Sequence, residues 1–377
     1  MEAGGLLRLV GVKPTGDPWV WEGVSLPLGM GNLRPIAYGG FAIATAVVAA
    51  GATLPQEVHL VPYSLVGHFL GPASLESPFV CEVTSIRDTR NFATRFVLVK
   101  QRGPDGQLRS VLSVTLDMIA SPQSTPEKLQ QHRANNTDPA SVASVVRYES
   151  RTPWQVELPD QLPPVDQYLA QRLAAGELPE SVVSVQQTFL GLWHELFDMR
   201  AVPSSMMDQN MIGLVDVQTS QDQLPLQDRR SFDWMHLKSS LPPIDGSKGP
   251  AVCDPLGMHP ISPIVAHLAT LAFAMDGAIA FAPLSFAKQS LFDAQVASTL
   301  EFALRFHTDT LDVNQWLLRE IIPVHGGWQR HYGEARVFDH AGHHIATCTQ
   351  QCVMRPSDPD AVASMQAPKP YAPVPKL

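Results

Sequence analysis

Several things are scarce in this sequence, and each scarcity excludes something. Four cysteines in 377 residues, Cys81, Cys253, Cys348 and Cys352, are too few and too scattered for a disulfide framework. Cys348 and Cys352 lie four apart in a segment that alternates like a strand. They would share a face at a separation of roughly 13 Å, too far to hold one metal. All four read as reduced structural thiols, and no metal or cofactor is expected. Bases are outnumbered, 27 against 36 acids, for a net charge of -9. That balance argues against a nucleic-acid-binding surface and leaves room for a local basic pocket facing a phosphate ligand. No apolar run reaches the ~20 residues of a membrane span, because Pro, His or Asp interrupts each one. The opening MEAGGLLRLVGVKPTGDP lacks the basic start and sustained apolar core of a signal peptide. A soluble, cytoplasmic chain is expected. GxSxG, HExxH and GxxxxGK[ST] do not occur. Ser285 and Lys288 match SxxK without the KTG triplet that would give the match meaning.

What is present is a repeat. An apolar helix is expected over Ala37–Pro55 (AYGGFAIATAVVAAGATLP), followed by four β-like runs: EVHLVPYSLVGHFL, FVCEVTSIRD, NFATRFVLVKQ and QLRSVLSVTLDMIA. A second helix, over Ser262–Phe281, is followed by VASTLEFALRF, QWLLREIIPVH, WQRHYGEARVF and HHIATCTQQCVM. One long apolar helix and then an antiparallel meander suggests a sheet curled around a central helix. Strands ahead of each helix are expected in LLRLVGVKPTGDPWVWEGV and in FLGLWHELFDMRAV with SFDWMHLKSSLPP. Ser121–Glu180, rich in Pro, Ser, Gln and Asn, reads as a linker with little regular structure. QTSQDQLPLQDR reads as a polar inserted loop, and the tail QAPKPYAPVPKL as extended chain. The divisions are therefore 1–120, 121–180, 181–356 and a Pro-rich tail over 357–377.

Inside the second helix, LATLAFAMDGAIAF holds eleven hydrophobic residues in fourteen and one carboxylate, Asp276. Apolarity on every face marks a buried helix. An ionised carboxylate buried without partners costs several kcal/mol or shifts its pKa upward. Such an acid either merely caps a helix broken at Gly277 or has a use.

These segments together resemble the acyl-CoA thioesterase II family of double hotdog proteins, over roughly Gly29–Ala120 and Phe232–Pro356. The first half carries YGGFAIATAVVAA, HFLGPA and RDTRNFATRFVLVKQ, similar to the family's aromatic-Gly-Gly helix start and arginine-aspartate turn. The second half carries LAFAMD, STLEFALRFH, WLL and ATCTQQCVMR, against the family's LAYxSD, TxDHxxxFH, WLL and xQEGxxR. Met275, Glu301-Phe302 and Gln351-Cys352 depart from that pattern. The resemblance implies an α+β double hotdog, two repeats each with an antiparallel sheet wrapped around a long apolar helix. It also implies hydrolysis of an acyl-CoA or other acyl thioester.

The family's catalytic trio falls on Asp276, Thr299 and Gln350. A carboxylate that accepts a proton from water, with a hydroxyl and an amide to hold both in place, suits attack on a thioester carbonyl. Gly39 and Gly40 are expected to line the substrate site. Arg330 is expected to meet an anionic ligand, with Arg90, Arg95 and Lys288 as further candidates. Two other functions fit the same fold. One is release or cyclisation of a polyketide or other natural-product acyl intermediate, and the other is acyl binding without catalysis. Sheet edges are usually covered by pairing, so a homo-oligomer is expected. The closing Pro375-Lys376-Leu377 approximates a peroxisomal address.

Overall fold

The computed structural model describes residues 5–31, 34–55, 57–151, 155–246 and 257–357. The Pro-rich tail from residue 358, with Pro375-Lys376-Leu377, and Cys253 lie outside that set. Nine α-helices and twelve strands are described. The first half contains α1 (Gly5–Val10), β1 (Val12–Pro14), β2 (Val20–Gly23) and α2 (Gly39–Gly51), then β3 (Leu60–Phe69), β4 (Phe79–Asp88), β5 (Phe92–Arg102) and β6 (Leu108–Ala120). The middle holds α3 (Pro126–Ala134), α4 (Pro139–Ala143), α5 (Val165–Ala174), α6 (Glu180–Leu196), β7 (Phe197–Ala201), α7 (Met206–Gln209) and β8 (Ser231–Leu237). The second half closes with α8 (Pro263–Met275), α9 (Ala282–Phe286), β9 (Ala294–Phe306), β10 (Leu317–Gly327), β11 (Arg330–Asp339) and β12 (His344–Pro356).

All twelve strands join one sheet in the order β1-β2-β4-β5-β6-β3-β9-β12-β11-β10-β8-β7. The order mirrors itself about the antiparallel β3–β9 pair, where Ser64 faces Arg305 and His68 faces Glu301. Each half wraps its own helix, so neither helix needs a polar face. Every residue of α2 from Gly40 to Ala50 is buried, and so is every residue of α8 from Val265 to Met275. The two helices run antiparallel in close contact. A Cβ on Gly40 would come within 2.5 Å of the Phe273 carbonyl, and one on Gly51 within 2.6 Å of the Val265 side chain. Such an approach is open only to glycine. Phe41, Phe273 and Tyr38 pack edge-to-face between the helices, a geometry that adds to their area burial.

The structure departs from the sequence reading in four places. LLRLV is helical in α1 rather than extended. Phe189–Leu196 completes α6, whose buried residues follow a helical stripe (Val182, Gln186, Phe189, Trp193); only Phe197–Ala201 is a strand. The expected linker holds α3, α4 and α5. Two of these begin with an N-cap side chain before a proline: Thr125 accepts from Lys128 N–H, and Asp138 accepts from Ala140 N–H. The polar run 218–229 is packed rather than loose, since buried Gln221 donates to the carbonyls of Ser204 and Arg230 and accepts from Arg230 N–H. No described helix is long and apolar enough to cross a membrane.

Candidate active site

Helix α8 ends at Met275, with Asp276 as its C-cap. Its side chain therefore leaves the helix where the chain turns, beside the N-terminus of α2. One side of the carboxylate opens into a cavity of about 630 Å³, and protein encloses the rest. Gln350 Nε2 donates to Asp276 Oδ1 at 3.3 Å, and Thr299 Oγ1 donates to Gln350 Oε1 at 3.2 Å. The Gly40 N–H and the Thr299 hydroxyl also face the carboxylate. Burial is the larger influence and pushes the Asp276 carboxyl up to about 7, against the pull of Gly40, Gln350 and Thr299.

A local irregularity makes this convergence possible. Thr299 and Phe302 are three apart on β9, so a regular strand would send them to opposite faces. Between Gln351 and Cys352 the β9–β12 register shifts: Glu301 faces Gln351, yet Thr299 faces Cys352. The extra residue on β9 is a β-bulge. Leu300 and Glu301 are both exposed, while Thr299 and Phe302 are both buried. The bulge thus turns the Thr299 hydroxyl inward to meet Gln350, whose cross-strand partner is Phe302.

Gly39 and Gly40 lie at the start of α2, where the structure needs both. A Cβ on Gly39 would fall 2.5 Å from Asp276 Oδ2 and 2.7 Å from the Phe69 ring. No side chain caps this helix start, so its backbone N–H groups and the positive end of its dipole face the carboxylate. Gly39 lines the cavity, along with Tyr38, Phe69 and Thr299. The far wall comes from α6, through Gln186, Phe189, Leu190 and Trp193.

Arg330 does not belong to this site. It is exposed at the first position of β11, opposite Gly327 across a hairpin, and is not among the cavity walls. Arg95 is buried and engaged with Asp88 and Thr53, and Lys288 binds Asp222. Ser285 is buried and donates to Asn210, which removes any nucleophilic reading of SxxK. Cys348 and Cys352 are both buried thiols, and burial pushes Cys352 up to about 12, so neither is a thiolate at neutral pH.

Sequence reasoning missed the side chains that hold the Asp276 turn. Tyr38 Oη donates to the Phe273 carbonyl at 2.7 Å. Buried Arg319 donates to the carbonyls of Ala274 and Gly277, and His331 Nε2 to that of Ala280. The only available sign was the Tyr38-Gly39-Gly40 triplet; WLLRE says nothing of what its arginine reaches across the fold.

A mirrored sheet that wraps two apolar helices, with a partly buried acid at one helix end beside a cavity, is the architecture of a double hotdog protein. Comparisons with known proteins agree. Residues 26–119 match the acyl-CoA thioesterase N-terminal domain, and residues 261–354 match the acyl-CoA thioesterase C-terminal domain. The chain belongs to the acyl-CoA thioesterase family and is a thioesterase. Among solved structures it is similar to the tesB protein of Mycobacterium avium subsp. paratuberculosis, with 15% identity and TM-score 0.58 over 94% of this chain and 100% of the other. Acyl-CoA thioesterase II TesB2 of Mycobacterium marinum gives 18% identity and TM-score 0.57, over 94% and 99%. A hot dog protein of unknown function from Alicyclobacillus acidocaldarius gives 17% and 0.59, over 94% and 99%. At these identities the likeness shows the fold. The comparison with curated proteins gives no match.

Proposed function

We propose that the protein hydrolyses acyl-CoA thioesters to free acid and coenzyme A by direct attack of water, with Asp276 as general base. The observation that carries this reading is the hydrogen-bonded chain from Thr299 through Gln350 to Asp276. Two strand residues 51 apart meet an acid from a separate helix, and the acid and Thr299 line one cavity with Gln350 buried behind them. Asp276 accepts a proton from the attacking water. Gln350 fixes the carboxylate from behind, and Thr299, which lines the cavity, helps hold the water in line, which removes much of the entropic barrier. A carboxyl near 7 is well matched to the task, since a general base works best when its pKa lies near the operating pH. Negative charge developing on the carbonyl oxygen meets the uncapped start of α2, where backbone N–H groups are preorganised. The proton then passes to the departing thiolate, so no covalent enzyme intermediate is needed.

The test is a panel of acyl-CoA esters with free thiol as the readout. Asp276→Asn keeps the shape and removes the base, and kcat should fall by about 10²–10⁴-fold. Full activity in that variant would remove Asp276 from the mechanism.

One observation favours the second reading, release of a bulky natural-product acyl chain. The aromatic wall of α6 (Phe189, Trp193) comes from the middle of the chain, outside both family matches. Turnover of bulky carrier-bound thioesters, with inertness toward straight-chain acyl-CoAs, would decide for it.

A further inference from the structure

The carbonyls at the end of α8 and in the turn after it meet side-chain donors from elsewhere in the fold. Each finds a donor from a different element. Phe273 O takes the Tyr38 hydroxyl, Met275 O lies 3.9 Å from the Cys348 thiol, and Ala280 O takes His331. The two carbonyls that bracket Asp276, those of Ala274 and Gly277, both receive Nη1 of Arg319, at 3.3 and 2.8 Å. The remaining edge of the same guanidinium is held by Asp233 of β8: Nη2 donates to Oδ2 at 2.7 Å, and Nε to Oδ2 at 3.1 Å and Oδ1 at 3.2 Å. The Trp193 ring lies 4.7 Å from the guanidinium carbon. Arg319 is 2% exposed, enclosed by these partners. Directly after the turn, Ala278 adopts φ 77°, a left-handed conformation that a non-glycine residue keeps only when its surroundings impose it.

We infer that Arg319 is a positioning residue for hydrolysis: by clamping the Ala274 and Gly277 carbonyls to Asp233, it fixes the direction in which the Asp276 carboxylate projects toward Gly40 and Gln350. The inference rests on Asp276 being the base, but it concerns the geometry of the turn and has a readout of its own. A lysine could not replace the fork, because one ammonium cannot bind two carbonyls and a carboxylate in a plane. Other ionisable groups lie around Asp276. Tyr38 at the start of α2 and Cys348 and Cys352 on β12 face it, all with pKa raised by burial and so neutral. Arg34, His194, Arg200 and Asp208 line the same cavity, as do Arg319 and Asp233 themselves. Apart from Arg319, none of these donates to the carbonyls of Ala274 and Gly277.

The experiment compares Arg319→Met/Asp233→Asn with Arg319→Lys and with Arg95→Met. The double variant leaves no unpaired buried carboxylate behind, which a single Arg319 change would do. Arg95→Met removes the arginine that holds Thr53 at the end of α2, and so serves as a control for general loss of stability. The first readout is the titration of Asp276 by ¹³C-carboxyl NMR on aspartate-labelled protein, with the signal assigned through Asp276→Asn. If the turn drifts, Asp276 loses the contacts that oppose burial, and its midpoint should rise by about half a unit or more. The second is kinetic: kcat should fall roughly tenfold or more with KM held, and its acid limb should move up with the NMR midpoint. Arg319→Lys should lie between wild type and the double variant, and it carries the test if the double variant does not fold. Arg95→Met should leave the Asp276 midpoint where it is. An unchanged Asp276 midpoint in the folded Arg319 variants would overturn the inference, even if the protein hydrolysed nothing. A moved midpoint without any thioester turnover in wild type would support the clamp and refute the hydrolase reading.

Discussion

The two ends of the antiparallel helix pair are built alike and behave differently. At one end α8 finishes beside the start of α2; at the other α2 finishes beside the start of α8. Just past the C-cap of each finishing helix an arginine takes a backbone carbonyl and has an aspartate behind it: Arg319 on Gly277 with Asp233, and Arg95 on Thr53 with Asp88. The differences lie in three small things. The C-cap of α8 is Asp276, whereas that of α2 is Ala52. The start of α2 is Gly39-Gly40 with open N–H groups, whereas α8 starts with Pro263, which has none. Val265 fills the space over Gly51, where the opposite end has a cavity. A duplicated fold thus keeps the same mechanical frame at both ends and places chemistry at one.

That comparison can be broken or sharpened by experiment. The largest effect expected is that of Asp276→Asn, which should make the two ends chemically alike and abolish most turnover. Next is Thr299→Val, which keeps the shape and bulge but removes the hydroxyl that orients Gln350. Its kcat should fall roughly ten- to a hundredfold, less than for the acid, as measured by thiol release; wild-type kcat would mean that Gln350 is held without it.

A smaller effect concerns stability. Asp276 has a folded pKa of about 7 against an ordinary value of 3.8, so the folded state holds its proton longer than the unfolded state does. Its contribution is fully present below the unfolded value and is lost as pH rises through about 7. Between pH 4 and 8, wild type should therefore lose more stability than Asp276→Asn does, and at pH 8 the variant should melt about 2 °C or more above wild type. Equal melting temperatures across that range would show that the carboxylate is not strained by burial. The smallest effect expected is from Ala52→Asp introduced into Asp276→Asn. Without an open helix start, a hydroxyl or an amide to meet it, the transplanted acid should restore no thioester hydrolysis. Recovered turnover would mean that an acid at a helix end is enough by itself.

Much of the frame was legible from residue order. The run FVCEVTSIRD is β4 to the residue, and the other seven meander strands fall within a few residues of expectation, because alternation over ten or more positions fits only a strand with one buried face. FLGLWHELF was ambiguous for the opposite reason: a short, dense apolar run fits either a strand or one side of a helix, and packing of Phe189 and Trp193 against the cavity decided it. The helices of the middle segment carried readable starts in Thr125-Pro126 and Asp138-Pro139, which composition alone concealed. In the site, Asp276 stood out because a carboxylate in an apolar helix requires a reason. Arg330 was misplaced because charge says nothing of direction, and the hairpin turns it outward.

The order of residues by itself determined two apolar helices, their meanders and the single acid, since these follow from periodicity and from the cost of burying charge. Only the tertiary structure decided that Thr299 faces inward, that Gly39 abuts the carboxylate, and that Arg319 reaches the carbonyls of the turn. A bulge, a close helix crossing and a clamp across 45 residues arise from contacts between segments, and no local propensity encodes them.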